Sequence, residues 1–329
     1  MSEKVLITGA TGFVGYHLIV QALAAGLEVY AAVREHSDTS HLKALELSYV
    51  SLNYSSVEEL RTILETEQFQ YVIHAAGITK AKEQAVYNRV NAEFTRNLGV
   101  AISTANYQVK KFVFVSSLAA IGPLLDLTRT LQDDSPTNPV TNYGASKSLA
   151  EQYLAKIPEL PIITIRPTAV YGPREKDLFI LFKTISKGLE PHIGSFKQQL
   201  SFVYVVDLAQ IIVKALFSEI VGATYNVSDG KIYDRYALAI CIKKALGSKT
   251  LKFHLPIIVV DALASTMELL YSRSKDAPTL NKEKMAELTA INWACSIQNI
   301  QHDLSYQPLF DLEKGVAETV SWYKANNWL

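Results

Sequence analysis

The chain is poor in several residue types, and each shortage closes off a class of protein. Cysteine occurs twice in 329 residues, at Cys241 and Cys295. Two thiols build no disulfide framework and complete no zinc site, so both read as structural groups in a reducing, cytoplasmic compartment. Histidine is sparse, and His17, His192, His254 and His302 show no metal-ligand spacing, so no metal is expected. An excess of one charge is missing too: 32 basic residues face 32 acidic ones, and nothing favours nucleic acid or an anionic membrane surface as partner. No apolar stretch reaches the roughly 20 residues of a membrane span. The nearest, Leu255 to Leu270, is interrupted by Asp261 and Glu268 and reads as a packed or amphipathic helix. Internal repeats, low-complexity tracts and long linkers are absent, and Ser2-Glu3-Lys4 leads straight into an apolar run, which leaves no room for a signal peptide.

Against that background two short segments stand out. The first is Thr8-Gly9-Ala10-Thr11-Gly12-Phe13-Val14-Gly15. Lys4-Val5-Leu6-Ile7-Thr8 before it has the continuous apolar character of a strand buried on both faces, and Phe13 to Ala25 after it has helical spacing, stopped by Gly26. Strand, glycine turn and helix is the order a nucleotide site requires. Gly9 permits the tight turn, Gly12 lets the backbone approach phosphates, and Gly15 lets helix and strand pack closely, with free helix N–H groups aimed at the anion.

The second segment is Tyr143-Gly144-Ala145-Ser146-Lys147. Four residues apart on a helix, Tyr143 and Lys147 share a face. A phenol titrates near pH 10, and drawing it down to neutrality takes about 4 kcal/mol. A cation at about 4 Å supplies a similar amount at an effective dielectric near 20, so Lys147 is expected to lower the Tyr143 pKa. A hydroxyl from a neighbouring strand end would orient a substrate oxygen, and Ser117 is the residue chosen for it.

Further strands are expected at Glu28 to Val33, Ser48 to Leu52, Tyr71 to His74, Lys111 to Ser116 and Ile162 to Arg166, with helices between most of them. That alternation predicts an α/β fold with a doubly wound parallel sheet and a ligand site at the strands' carboxyl ends. His74-Ala75-Ala76-Gly77, Ser116-Ser117 and Arg166-Pro167-Thr168 all fall at that edge. Arg129 to Asn142 reads as the loop leading into Tyr143. Tyr225 and Tyr233 to Tyr236 read as packing residues, and Trp322 and Trp328 as anchors of the last helix.

With these residues in view, the chain resembles an extended short-chain dehydrogenase/reductase of the NAD-dependent epimerase/dehydratase type, nearly end to end. Besides both segments, the likeness is carried by Asn91-Ala92-Glu93-Phe94-Thr95-Arg96-Asn97-Leu98, Val115-Ser116-Ser117 with Gly122-Pro123, and Arg166-Pro167 with Tyr171-Gly172-Pro173. Phe202 to Asp207, Tyr225-Asn226-Val227 and Leu304-Ser305-Tyr306-Gln307-Pro308 with Gly315 extend it. The resemblance implies a catalytic triad of Ser117, Tyr143 and Lys147, with Ser116 as the fallback serine and Lys147 also holding the nicotinamide ribose. It implies a cofactor site of Gly9, Thr11, Gly12, Phe13, Val14, Gly15, Arg34, Asn53, Ala75, Ala76, Gly77, Asn91, Tyr143, Lys147, Pro167 and Val170. A Rossmann domain is expected over 1–172 with 200–227 returning to it, and a substrate lobe over 173–199 and 228–329. By the same analogy, helices over Asn91 to Tyr107 and Tyr143 to Ile157 can pair two subunits in a four-helix bundle.

Departures from the family pattern narrow the expected chemistry. Nucleotide-sugar members usually carry an Asn where this chain has Ala169 and a diphosphate-binding Arg where it has Leu200. A buried diphosphate without those partners binds poorly. Dehydratase members carry acids just after the catalytic serine, where this chain has Leu118 and Ala119. What remains resembles the hydroxysteroid dehydrogenase-like and dihydroflavonol reductase-like branches, which interconvert a secondary alcohol and a ketone or aldehyde on a fairly apolar small molecule. A nucleotide-sugar epimerase with the same triad and a non-catalytic NADP-sensing protein are the alternatives. Arg34, with His36, His41 and Lys43 close by, favours NADP(H); NAD(H), with Glu35 or Asp38 serving the ribose, stays open.

Overall fold

Side chains along Lys4–Thr8 leave alternate faces of the backbone, and this alternation sets the architecture. Val5 and Ile7 enter one apolar cluster and Leu6 enters another, so both faces of the strand are buried. The computed structural model describes residues 2–271, 274, 278 and 280–329. Among them the strands are β1 (Lys4–Thr8), β2 (Glu28–Ala32), β3 (Ser48–Val50), β4 (Tyr71–His74), β5 (Lys111–Val115), β6 (Ile162–Pro167), β7 (Ala169–Tyr171), β8 (Leu189–Ile193), β9 (Phe202–Tyr204), β10 (Ala223–Val227) and β11 (Leu251–Leu255). The helices are α1 (Phe13–Ala24), α2 (Val57–Glu67), α3 (Gln84–Tyr87), α4 (Phe94–Thr104), α5 (Asn142–Leu154), α6 (Phe179–Ser186), α7 (Val205–Leu216), α8 (Ala237–Leu246), α9 (Ile257–Leu270), α10 (Lys282–Thr289), α11 (Gln298–Leu304) and α12 (Leu312–Ala325).

Seven strands form one parallel sheet in the order β10-β6-β5-β4-β1-β2-β3. The order reverses beside β1, where β2 lies on one side and β4 on the other, and ligands of open α/β sheets bind at such a switch point. Helices α1, α7 and α11 cover one face, while α2, α4 and α5 cover the other. The expected doubly wound Rossmann sheet is therefore present. Strand ends move by a residue or two: β2 stops at Ala32, yet the Val33 N–H still reaches the Val50 carbonyl at 2.9 Å.

Beyond the sheet, α6, α8 and α12 enclose a third cluster around Phe182, Ile242 and Tyr323. Trp322 and Trp328 pack against Tyr323, Trp328 stacking on it at 5.3 Å, which pins the C-terminal segment. Two parallel strand pairs that the sequence pattern did not announce, β8 with β11 and β7 with β9, complete this region. Cys241 and Cys295 are both free thiols.

Candidate nucleotide and proton-transfer site

The glycine turn is built by contacts that exclude any side chain. Gly9 is in the left-handed region at φ 69°, and a Cβ there would lie 2.5 Å from the Ala75 carbonyl oxygen. A Cβ on Gly15 would come within 2.1 Å of the Gly9 oxygen, so the first turn of α1 rests directly on the loop. Exposed Gly12 is the N-cap of α1, with no side-chain cap and no acid in the first turn. Half-buried Thr11, Phe13 and Val14 flank it. The N–H groups that open α1 thus face outward at the positive end of the helix dipole, which fits a dinucleotide pyrophosphate.

Behind the turn, hydroxyls and one imidazole fix the end of β4. Thr8 Oγ1 accepts the Ala76 N–H at 3.1 Å and lies 2.7 Å from His74 Nδ1. Thr95 gives its own proton to the Asn91 carbonyl at 2.8 Å and accepts from His74 Nε2 at 2.8 Å. His74 is therefore protonated at Nε2, and a neutral ring then accepts the Thr8 proton at Nδ1. Burial, with the Lys147 charge, holds its pKa down at about 3, which keeps the ring neutral. The amide of Asn91, expected at the cofactor, accepts from Ile78 N–H at 2.8 Å and donates to the Ile78 carbonyl and Ser146 Oγ. It therefore braces the strand end against α5.

That brace joins the two sequence segments. A Cβ on Gly77 would sit 3.1 Å from Asn91 Oδ1 and 3.5 Å from Lys147 Nζ. Thus the β4 end touches the glycine turn through Ala75 and the α5 lysine through Gly77. Thr141 caps α5 by accepting the Gly144 N–H at 3.0 Å. A Cβ on Gly144 would lie 2.3 Å from the Ala119 carbonyl, so the helix packs onto the 3₁₀ turn Leu118–Ala120.

Ser117 opens that 3₁₀ turn, accepts the Ala119 N–H at 3.2 Å, and lies near enough to the Tyr143 phenol to affect its acidity. Ser116 does not compete for the role. Its hydroxyl donates to Glu151, which binds Arg166 in a buried bidentate pair with Nε–Oε1 at 2.9 Å. Lys147 is buried, donates to the Val115 carbonyl at 2.9 Å, and lies 4.9 Å from the Phe114 ring centre.

The expected lowering by Lys147 counted on help from the positive charge of an oxidised nicotinamide, and the chain's own groups act in the opposite direction. Burial pushes the Tyr143 pKa up to about 12, the Ser117 hydroxyl opposing and the Glu287 and Tyr87 side chains adding to it. Burial also brings Lys147 down to about 8, opposed by the Glu151 carboxylate. The ammonium is aimed at a strand carbonyl rather than at the phenol, so desolvation outweighs attraction. Tyr143 accordingly holds its proton and stands ready as an acid.

At the other end of the expected nucleotide path, Arg34 follows β2. Its N–H donates to Ser37 Oγ at 3.1 Å, and with Thr39, Tyr49 and Ser51 it lines a cavity of about 460 Å³. The Asn53 amide is engaged by the entry to α2, accepting from Ser55 N–H and donating to Glu59 at 3.0 Å. Two groups absent from the sequence reading appear here. The Arg174 guanidinium stacks 3.9 Å above the Tyr16 ring on α1, and with Lys176 it adds to the burial that depresses His41. Nothing local to Arg174 in sequence announces a neighbour on α1.

Pro167 ends β6, and Thr168 beyond it has a buried hydroxyl with no hydrogen-bond partner. An orphaned polar atom at this edge suits a ligand with polar groups. Val170 lies in β7, paired with Val203. Leu200 packs into the apolar cluster of the C-terminal region, and its backbone pairs with Tyr233. Helix α10 covers the start of α5, where Glu283 accepts the Asn142 N–H at 2.7 Å.

Comparison with known proteins agrees with this geometry. A protein from Caulobacter vibrioides named ceramide reductase is 26% identical over 328 residues, covering 99% of this chain and 96% of its own. UDP-glucose 4-epimerase of Vibrio cholerae is 27% identical over 84% of this chain and 90% of its own. The same fold is seen in UDP-glucose 4-epimerase from Thermotoga maritima with UDP-glucose, at TM-score 0.80, 19% identity and coverage of 98% and 99%. It recurs in dTDP-glucose 4,6-dehydratase from Bacillus anthracis in complex with NAD, at TM-score 0.77, 20% identity and coverage of 99% and 98%. The profile of one family matches residues 5–228, a span that holds the glycine turn, Ser117, Tyr143 and Lys147, and the chain belongs to the NAD dependent epimerase/dehydratase family.

Proposed function

We propose that this chain is an NAD(P)-dependent oxidoreductase that interconverts a secondary alcohol and a ketone on an apolar small molecule. The observation that carries the reading is the contact of both motifs with one strand end: Gly9 against Ala75, and Gly77 against Lys147, with Ser117 near the Tyr143 phenol. The nicotinamide cofactor, when bound, supplies or accepts the hydride. In the reducing direction Tyr143 gives its phenolic proton to the carbonyl oxygen, and Ser117 orients that oxygen and stabilises its developing charge. Lys147, on the same helix as Tyr143, supplies positive charge to the site as the phenol becomes phenolate. Apolar substrates are favoured because Leu200, Ala169, Leu118 and Ala119 replace the polar groups of the sugar-nucleotide pattern, and the ceramide reductase relative fits that preference.

Epimerase relatives support a second reading, in which the same triad oxidises and re-reduces one substrate. Net loss of reduced cofactor on adding an apolar ketone separates the two, since an epimerase returns its hydride. Turnover without net change, or no turnover of any ketone beside epimerisation of a sugar nucleotide, would refute the proposal.

The Lys147 ammonium is required, so its pKa near 8 gives the sign of the pH dependence. Activity is full below that value and lost above it. We expect kcat/KM for reduction to be level below pH 8 and to fall about tenfold per pH unit above it. Lys147→Arg, charged throughout, lowers the rate but removes this alkaline limb. A limb unchanged in that variant means that another group titrates.

NADP(H) is the preferred cofactor in this reading. Arg34 lines the cavity after β2 and Arg174 lies over Tyr16 on α1, and these guanidiniums suit a phosphate dianion. Removing one charge-assisted hydrogen bond costs about 1.5–3 kcal/mol, so Arg34→Ala should weaken NADPH about 10- to 100-fold and leave NADH nearly unchanged, as read by fluorescence titration. Equal losses for both would contradict a phosphate role.

A further inference from the structure

One turn beyond Lys147 on α5, about 6 Å along the helix axis, Glu151 stands in a buried ionic cluster. Its carboxylate accepts from Ser116 Oγ just past β5 and from Arg166 on β6, Nε donating at 2.9 Å, and the Arg166 and Glu151 side chains are only 9% and 13% exposed. The third guanidinium nitrogen donates to the Asp133 carbonyl at 2.8 Å, which ties the cluster to the loop leading into Tyr143. The Val115–Ser116 peptide is where this cluster meets the lysine. Its carbonyl accepts from Lys147 Nζ at 2.9 Å, and its N–H donates to the Ile165 carbonyl at 2.7 Å. The residue whose hydroxyl Glu151 holds is therefore part of the peptide that receives the ammonium.

We propose that Glu151, locked by Ser116 and Arg166, is a positioning residue for the reaction: it fixes the Val115–Ser116 peptide that aims Lys147 Nζ and sets a carboxylate one turn from the ammonium. This role rests on the redox reading above, in which that ammonium is required. Other partners for the charge are few. From β4 the lysine is faced by His74, which is neutral, and by the backbone at Gly77, where a Cβ would lie 3.5 Å from Nζ. From β5 it is faced by the Phe114 ring at 4.9 Å, and the Asn91 amide beside Gly77 carries no charge. Tyr143 on α5 is a neutral phenol, and Glu287 on α10 acts on that phenol. Arg166 on β6 is a like charge, with Nε and Nη2 directed at Glu151. Glu151 is the carboxylate that opposes burial at Lys147. A buried ion pair kept for stability alone does no better than apolar side chains of similar volume, whereas this one bears on the lysine of the proton-transfer site.

The test is a carbon-13 NMR titration of the lysine side chains in the full chain, with Lys147 identified by its loss in Lys147→Arg, beside the pH profile of ketone reduction. Glu151→Gln keeps an acceptor for Ser116 and removes the charge. Its Lys147 midpoint should fall by about one pH unit or more, and the alkaline limb of kcat/KM should move with it. A midpoint unmoved in that variant overturns the proposal, whatever the chain turns over. Ser116→Ala leaves the ion pair whole and decides the matter if Glu151→Gln does not fold. Its kcat should drop about tenfold or more with KM unchanged, and Ser116→Thr, which keeps a hydroxyl, should restore the rate. A kcat equal to the parent's in Ser116→Ala, or a loss that Ser116→Thr does not rescue, also overturns it. If the parent reduces no ketone, the function proposed above fails, while the NMR titration still decides the role of Glu151.

Discussion

Tyr143→Phe is expected to lower kcat by two to four orders of magnitude while leaving the cofactor dissociation constant within about twofold, since positioned acid catalysis is worth about 10²–10⁴. The substitution removes one oxygen from a half-buried ring and leaves its packing in place. The glycine turn and Lys147 are untouched, so the cofactor keeps its partners. Ser117 retains its bond from the Ala119 N–H. A hydroxyl whose neighbourhood raises its pKa to about 12 is held as the neutral acid, which is the form that reduction consumes. Water offers no substitute held at that place. Single-turnover kinetics beside a cofactor titration read both quantities, and a variant within tenfold of the parent rate would remove Tyr143 from the reaction.

Gly15→Ala is the second large effect. Its Cβ would fall 2.1 Å from the Gly9 oxygen and 2.9 Å from the Ala10 carbonyl carbon, and these are backbone atoms that no rotamer change can move. Either α1 lifts or the turn shifts. Overpacking of this kind costs about 1–3 kcal/mol of stability, at times more. It also displaces the N–H donors from the pyrophosphate. Two charge-assisted hydrogen bonds at about 1.5–3 kcal/mol each imply a loss of about 100-fold or more in cofactor affinity. Gly26→Ala is the control: its φ of 79° makes any side chain strained, but nothing lies within 4 Å, so stability falls while affinity stays. Urea unfolding and cofactor titration of both variants separate backbone strain from damage to the site.

The sequence made the sheet and its site legible where local chemistry decides the outcome. Val5, Leu6 and Ile7 must be buried on both faces, and only Gly fits at Gly9 and Gly15, so strand, turn and helix follow from the residues themselves. Long-range geometry was not legible. The rise in the Tyr143 pKa depends on burial and on Glu287, which lies far along the chain on α10. Sequence spacing sees only Lys147. Arg174 reaches Tyr16 from a left-handed backbone at φ 76°, a conformation that tertiary contacts impose. Strand β8 escaped notice because Leu189-Glu190-Pro191-His192-Ile193 has little apolar alternation. It is held instead by buried Glu190, which accepts hydrogen bonds from His192 and Thr250 and pairs with Lys243 at 2.7 Å.

The central claim is spatial: the glycine turn and the Tyr143–Lys147 pair serve one nicotinamide ring. A crystal structure of the chain with NADP(H) tests it most directly. The account predicts the pyrophosphate on the N–H groups of Phe13 and Val14, the nicotinamide ribose on Lys147 Nζ, and the ring beside Tyr143 Oη and Ser117 Oγ. A pyrophosphate seated elsewhere, or a ring out of contact with Tyr143, would contradict it.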